Sequence, residues 1–113
     1  MKPMPKKQPE LESSIQKKII TMLKSKGWFV KVTNGNMYQT GFPDLYATHS
    51  DYKARWIEVK RPVGYKIQPS QMRDFPKMCA NGSGVWIMSA ATEFEYKKLF
   101  KPCNWWKYIL NGG

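Results

Sequence analysis

An aspartate directly after a proline in "GFPDLY" (41–46), and a glutamate and a lysine inside the apolar "RWIEVKRP" (55–62), are the residues of this chain best suited to chemistry. If the two segments form a hairpin with its turn near Asp51, Asp44 lies opposite Glu58. Directly opposed side chains in such a pair have Cβ atoms about 4.5–5.5 Å apart. Lys60, two residues further along, shares the Glu58 face, while Leu45, Ala47, Ile57 and Val59 make an apolar opposite face expected to meet the core. Two carboxylates this close repel unless a cation lies between them. Magnesium takes oxygen ligands and commonly uses only one or two protein carboxylates, with water and substrate phosphate completing its shell. The carbonyl of Val59 would offer one more oxygen. A metal so held acidifies a bound water and neutralises charge at a phosphorus centre under attack, with Lys60 as a nearby positive donor.

A plainer reading exists. Asp after Pro is a common turn residue, and Glu58 with Lys60 would suit an exposed strand face. The charge balance tips the comparison. The 113 residues carry 19 lysines and arginines against 8 acids, a formal net charge of +11. Such a balance favours a polyanionic partner, because each phosphate neutralised releases counterions. Glu12 adds a third carboxylate on or beside the apolar stripe of the first helix, where it would need a partner.

The elements expected to position these groups follow from pattern. Residues 1–8 read as a flexible basic arm, and residues 9–113 as one domain. Leu11, Ile15, Ile19, Met22 and Leu23 recur at helical spacing from Pro9 to Lys26, with Gly27 as the stop. A strand over 28–32 leads into a loop at 33–41 with Asn34-Gly35 as its turn signal. Strands at 44–49 and 54–60, a helix from Pro69 to Asn81 that Pro76 should kink or break, and a buried strand at 84–90 follow. Thr92 and Glu95 form a capping box for a short helix ending before Pro102. The C-terminal "CNWWKYILNGG" suits either helix or strand. The order α-β-β-β-α-β-α specifies one mixed α/β domain.

Other features are excluded or read plainly. Cys79 and Cys103 lack a CxxC spacing or a histidine cluster and are expected as free thiols, so zinc is not indicated. No segment reaches the roughly 18 apolar residues of a membrane span, and "MKPMPKKQPE" has no apolar signal core. A cytoplasmic, non-secreted protein is expected. His49 is expected to be a solvated loop residue.

With these segments in view, the chain resembles the PD-(D/E)xK nuclease superfamily, and within it the VRR-NUC domains. "ESSIQKKIITMLKSKGWFV" looks like the family's opening helix and first strand. "TGFPDLY" looks like its GxPD segment, "WIEVKRP" like its ExK strand, and "KIQPSQ" like its loop ending in a helix glutamine. The resemblance implies a restriction-endonuclease-like core, a central mixed sheet flanked by helices. It further implies that Asp44, Glu58 and the Val59 carbonyl hold Mg2+ or Mn2+, with Glu12 joining through a metal-bound water. Lys60 would orient or activate the attacking water, and Gln71 would brace Lys60 or touch the phosphate. Two departures stand out. Phe75 occupies a position where many relatives carry tyrosine, and Pro76 interrupts a helix that usually runs straight.

The expected function is a metal-dependent, structure-selective DNA endonuclease that resolves branched DNA such as Holliday junctions. Small stand-alone relatives are similar to phage-encoded nucleases, which would place the protein in a host cytoplasm, and to homodimeric junction resolvases. The alternative is a nuclease-fold module that binds branched or single-stranded DNA without cutting it. Sequence-specific cleavage is a third possibility. Lys17, Lys18, Arg61, Lys66 and Arg73 are candidate DNA contacts, and Lys97, Lys98 and Lys101 form another basic cluster. Trp105-Trp106, with Phe100, Tyr108, Ile109 and Leu110, would serve as a dimer interface, as core, or as a stacking surface for unpaired bases. Neither a membrane nor a small-molecule cofactor is implied.

Overall fold

Along α1 (Glu12–Ser25), Ile15, Ile19 and Leu23 fall one turn apart and are fully buried, so the helix lies with this stripe on the sheet. The computed structural model describes residues 10–33 and 41–110. The basic arm expected at 1–8 and the Asn34-Gly35 turn lie outside the described residues, as do the side chains of Ile109 and Leu110. α1 begins at Glu12 instead of near Pro9, and no side chain caps its first turn.

Four strands, β1 (Phe29–Val32), β2 (Leu45–His49), β3 (Lys53–Val59) and β4 (Val85–Met88), form one sheet in the order 1-2-3-4. The first two pairings are antiparallel and β3–β4 is parallel. A parallel neighbour requires a crossover, which here contains α2 (Pro69–Ala80). The expected hairpin register holds, with Leu45 opposite Ile57 and His49 opposite Lys53. Leu45, Ala47, Ile57 and Val59 join Ile15, Ile19, Leu23 and Trp28 in one core cluster under α1. Alternation turns Glu58 to the other face, beside its register partner Ile87. On that side α2 packs against β4, and Phe75, the departure from tyrosine, is fully buried.

Of the kink or break expected at Pro76, the break does not occur: α2 runs through the proline. A proline at this position removes only the bond to the carbonyl of Met72, a 47% exposed residue on the solvent side of the helix, where water can serve that carbonyl. Gln71 lies one turn before the proline and keeps its place. The expected capping box at Thr92 is half formed. Thr92 accepts from the Glu95 N–H, but the Glu95 carboxylate turns back to the N–H and hydroxyl of Ser89, at 2.7 and 3.0 Å. α3 (Glu93–Lys97) therefore starts tied to the end of β4.

The undecided C-terminal segment is a helix, α4 (Trp105–Leu110). It is anchored by buried Asn104, whose amide accepts from the N–H of Ile87 (2.8 Å) and donates to its carbonyl (3.1 Å), filling the free edge of β4 as a strand partner would. Trp105 donates to Cys79 at 3.1 Å and is half-buried, whereas Trp106 is 46% exposed. Cys79 and Cys103 are free, with sulfurs 3.7 Å apart. His49 is not the solvated loop residue expected. It ends β2, half-buried, against the rings of Trp28 (5.2 Å) and Tyr52 (4.7 Å), and Nδ1 accepts from the Asp51 N–H. No helix among the described residues is long and apolar enough to cross a membrane.

Candidate active site

The ladder between β2 and β3 ends at Leu45–Ile57, and Asp44 stands just beyond it in a bend. There its side chain replaces the next rung: Oδ2 accepts from the N–H of Val59 at 2.8 Å. The bend is held from several sides. Pro43 is fully buried, the Thr33 hydroxyl donates to the Pro43 carbonyl, and the Thr33 N–H donates to the Asp44 carbonyl at 2.8 Å. Gly41 opens the turn at φ +86, a conformation that favours glycine. A Cβ there would sit 2.9 Å from the Ser70 carbonyl of α2. Glycine therefore lets the turn pack directly on the helix.

Glu58, Lys60 and Gln71 form a buried polar cluster, 3%, 4% and 7% exposed. Gln71 is the centre of it. Its Nε2 donates to Glu58 Oε2 at 2.7 Å, and its Oε1 accepts from Lys60 Nζ at 3.0 Å and from the Gln68 N–H at 3.0 Å. The last bond belongs to a capping box at the start of α2, so the glutamine caps the helix and braces the lysine together. Lys60 Nζ also lies 3.2 Å from Glu58 Oε2 and donates to the Lys66 carbonyl at 2.6 Å. An ammonium has three N–H donors, and all three have acceptors here.

Burial, and then the neighbouring Asp44 carboxylate, push the Glu58 carboxyl up to about 8. Lys60 and Gln71 pull in the opposite direction without overcoming burial. The other oxygen of this carboxyl, Oε1, is buried with no hydrogen-bond partner. An orphan buried oxygen is costly, and a proton or a cation is what it lacks. Val59 donates its N–H toward Asp44, and the N–H and C=O of one strand residue point to the same side, so its carbonyl also faces the Asp44 side. Among the described residues no three His, Cys, Asp or Glu side chains gather as a metal cluster. Two carboxylates, one of them with an orphan oxygen, and a carbonyl suit a hard cation that keeps waters, such as Mg2+ or Mn2+, rather than zinc.

The remaining site expectations divide by place. Glu12 is exposed rather than set against the buried stripe, which begins a turn later at Ile15. It lines a cleft of about 340 Å³ with Lys60, Arg61, Gly64, Lys66 and Gln68, so Glu12 still faces the same opening as the lysine. Arg61 and Lys66 are at this mouth. Lys17 and Lys18 line a separate groove along α1, and Lys18 pairs with Glu10. Arg73 is exposed on α2 and is neutralised by Asp74. The Lys66 carbonyl and the Gln68 N–H, both contributors to the cluster, were not singled out from sequence, because main-chain groups carry no residue-type signal.

No family model matches this chain, and no curated protein matches it. Among solved structures, a VRR_NUC domain matches over 80% of this chain and 95% of its own length, with 21% identity and a TM-score of 0.66. The chain has the VRR_NUC fold, the restriction-endonuclease-like α/β architecture that its PD and ExK segments resemble.

Proposed function

We propose that this protein is a metal-dependent DNA endonuclease that hydrolyses phosphodiester bonds, with branched DNA as its substrate. The observation that carries the reading is the orphan oxygen of Glu58, whose carboxyl feels the nearby Asp44 carboxylate and lies 3.2 Å from Lys60, a residue that lines a basic cleft. Asp44, Glu58 and the Val59 carbonyl would hold Mg2+ or Mn2+, with Glu12 reaching it through water. When bound, the ion supplies an acidified water and charge neutralisation at phosphorus.

The chain's own residues supply the rest. Gln71 keeps Lys60 beside Glu58, so the ammonium is positioned before substrate arrives. To reach water or a phosphate oxygen, Lys60 gives up one acceptor. The Lys66 carbonyl is the one on the exposed 61–66 loop at the cleft mouth, and Arg61 and Lys66 stand ready there for phosphate. A homodimer would present two such sites to a two-fold junction. Trp106, 46% exposed near β4, and Phe29 (61%) and Val32 (47%) on β1, the other end strand among the described residues, are two exposed apolar places that could serve it.

The test is incubation of labelled duplex, flap and four-way-junction DNA with magnesium or manganese, resolved on a denaturing gel. Cleavage that Asp44→Asn abolishes while binding persists supports the reading. Binding with no cleavage in either metal would replace it with the non-cutting DNA-binding module.

A further inference from the structure

On the far side of the 61–66 loop lies a second concavity, about 520 Å³, between Pro62 and Tyr65 of that loop and the segment 94–108. Its lining alternates rings with cations: Tyr65, Phe94 and Tyr108 with Lys97, Lys101 and Lys107. Phe94 is 76% exposed, so its ring is open to solvent at the rim of this concavity. The three lysines are exposed as well.

The walls are built rather than loose. The Tyr65 hydroxyl donates to the Tyr108 carbonyl at 3.1 Å, and the two rings meet edge to face at 5.2 Å. Buried Glu95, fixed by Ser89, pairs with Lys98, and Lys98 Nζ in turn lies 5.3 Å from the Phe94 ring and 5.9 Å from the Tyr108 ring. Exposed rings offer π faces to any base, and lysines at intervals follow a phosphate backbone. Together they make the usual surface for an unpaired strand. A duplex keeps its bases stacked inside and has no use for an exposed phenylalanine.

We propose that this groove binds an unpaired DNA strand, stacking bases on Phe94, Tyr65 and Tyr108 and pairing phosphates with Lys97, Lys101 and Lys107. The inference rests on the nuclease reading for its purpose. Arg61 and Lys66 face the candidate active cleft and Pro62 and Tyr65 face the groove, so one loop separates the two and a strand leaving the cleft crosses it directly. Selectivity for DNA with single-stranded character follows from this adjacency.

The experiment is fluorescence anisotropy of a labelled short oligothymidylate, and of a blunt duplex of equal length, in EDTA so that no cutting intervenes. Phe94→Ala removes an exposed side chain and should weaken oligothymidylate binding at least about 5-fold, leaving duplex affinity within error. Lys97→Ala with Lys101→Ala should make the salt dependence shallower by about 1.4 in log–log slope. Unchanged oligothymidylate affinity in Phe94→Ala, or equal loss for strand and duplex, overturns the proposal. Wild-type protein that cuts no DNA in either metal would sink the nuclease reading alone, since the metal-free affinities still decide the groove.

Discussion

The side-chain amide of Gln71, on the first turn of α2, donates to the carboxyl of Glu58, on β3, across 2.7 Å. The bond joins helix to sheet at the point where the candidate chemistry sits. The same amide accepts from Lys60, so its loss strands two buried groups together.

Gln71→Leu should therefore lower stability by about 1.5–3 kcal/mol, the range for hydrogen bonds to charged partners. Gln71→Glu keeps an acceptor for Lys60 but loses the donor to Glu58. It should recover little of that stability above about pH 8, where Glu58 is ionised and cannot donate to the new carboxylate. Thermal unfolding of the three proteins in metal-free buffer measures the difference. Equal stability of wild type and Gln71→Leu would show that the cluster is not formed in solution.

Stability should fall with rising pH because of Glu58. Its carboxyl titrates near 4.5 when unfolded and near 8 when folded. Below 4.5 both states are protonated and the folded state bears no ionisation cost. Between 4.5 and 8 the unfolded chain has released a proton that the folded chain retains, so stability is lost steadily and levels off above about 8. The loss should be on the order of a few kcal/mol. Glu58→Gln should flatten the profile across this window in chemical denaturation at a series of pH values.

Metal uptake should release a proton. At pH 7 without metal Glu58 is mostly protonated, and a ligating carboxylate must lose that proton. Calorimetric titration with Mg2+ or Mn2+ in buffers of different ionisation enthalpy should give close to one proton released per ion at pH 7 and markedly fewer at pH 9. A release that does not change with pH would assign the ligand role elsewhere.

Asp44→Asn and Glu58→Gln should each reduce cleavage by at least about 100-fold, the scale for removing one group that stabilises transition-state charge. Affinity for DNA in EDTA should stay near the wild-type value. Lys60→Ala should lower the rate far more than affinity. Single-turnover cleavage alongside anisotropy separates the two quantities.

Gly41→Ala tests how the aspartate is aimed. The new Cβ would approach the Ser70 carbonyl to 2.9 Å and the Asp74 carboxylate to 2.5 Å, on a backbone already at φ +86. A cost of about 1–3 kcal/mol is expected from the backbone conformation. The shift should pass through Phe42 and Pro43 to Asp44, so cleavage should fall by more than unfolding explains. A variant with reduced melting temperature and full activity at low temperature would show that the turn can move without Asp44.

Several of these relationships are legible in residue order. The alternation of Leu45, Ala47, Ile57 and Val59 marks the core face, and the polar turn near Asp51 sets the register that brings Asp44 toward Glu58. Pro76 does not end the helix as a break would, because a proline reports a missing N–H but not whether the freed carbonyl meets water. His49 misleads because its ring neighbours Trp28 and Tyr52 are set by packing, not by spacing along the chain.

By itself, the sequence determined the α/β order and the strand register, and it singled out Asp44, Glu58 and Lys60 as candidates, since these depend on local periodicity and side-chain type. Only the tertiary structure decided that Gln71 bridges Glu58 and Lys60, that Glu58 is buried deeply enough to hold its proton to about pH 8, and that Phe94 and Tyr65 share a lysine-lined groove. Burial, and contacts between residues distant in the chain, arise from packing of whole elements, and no short window of residues encodes them.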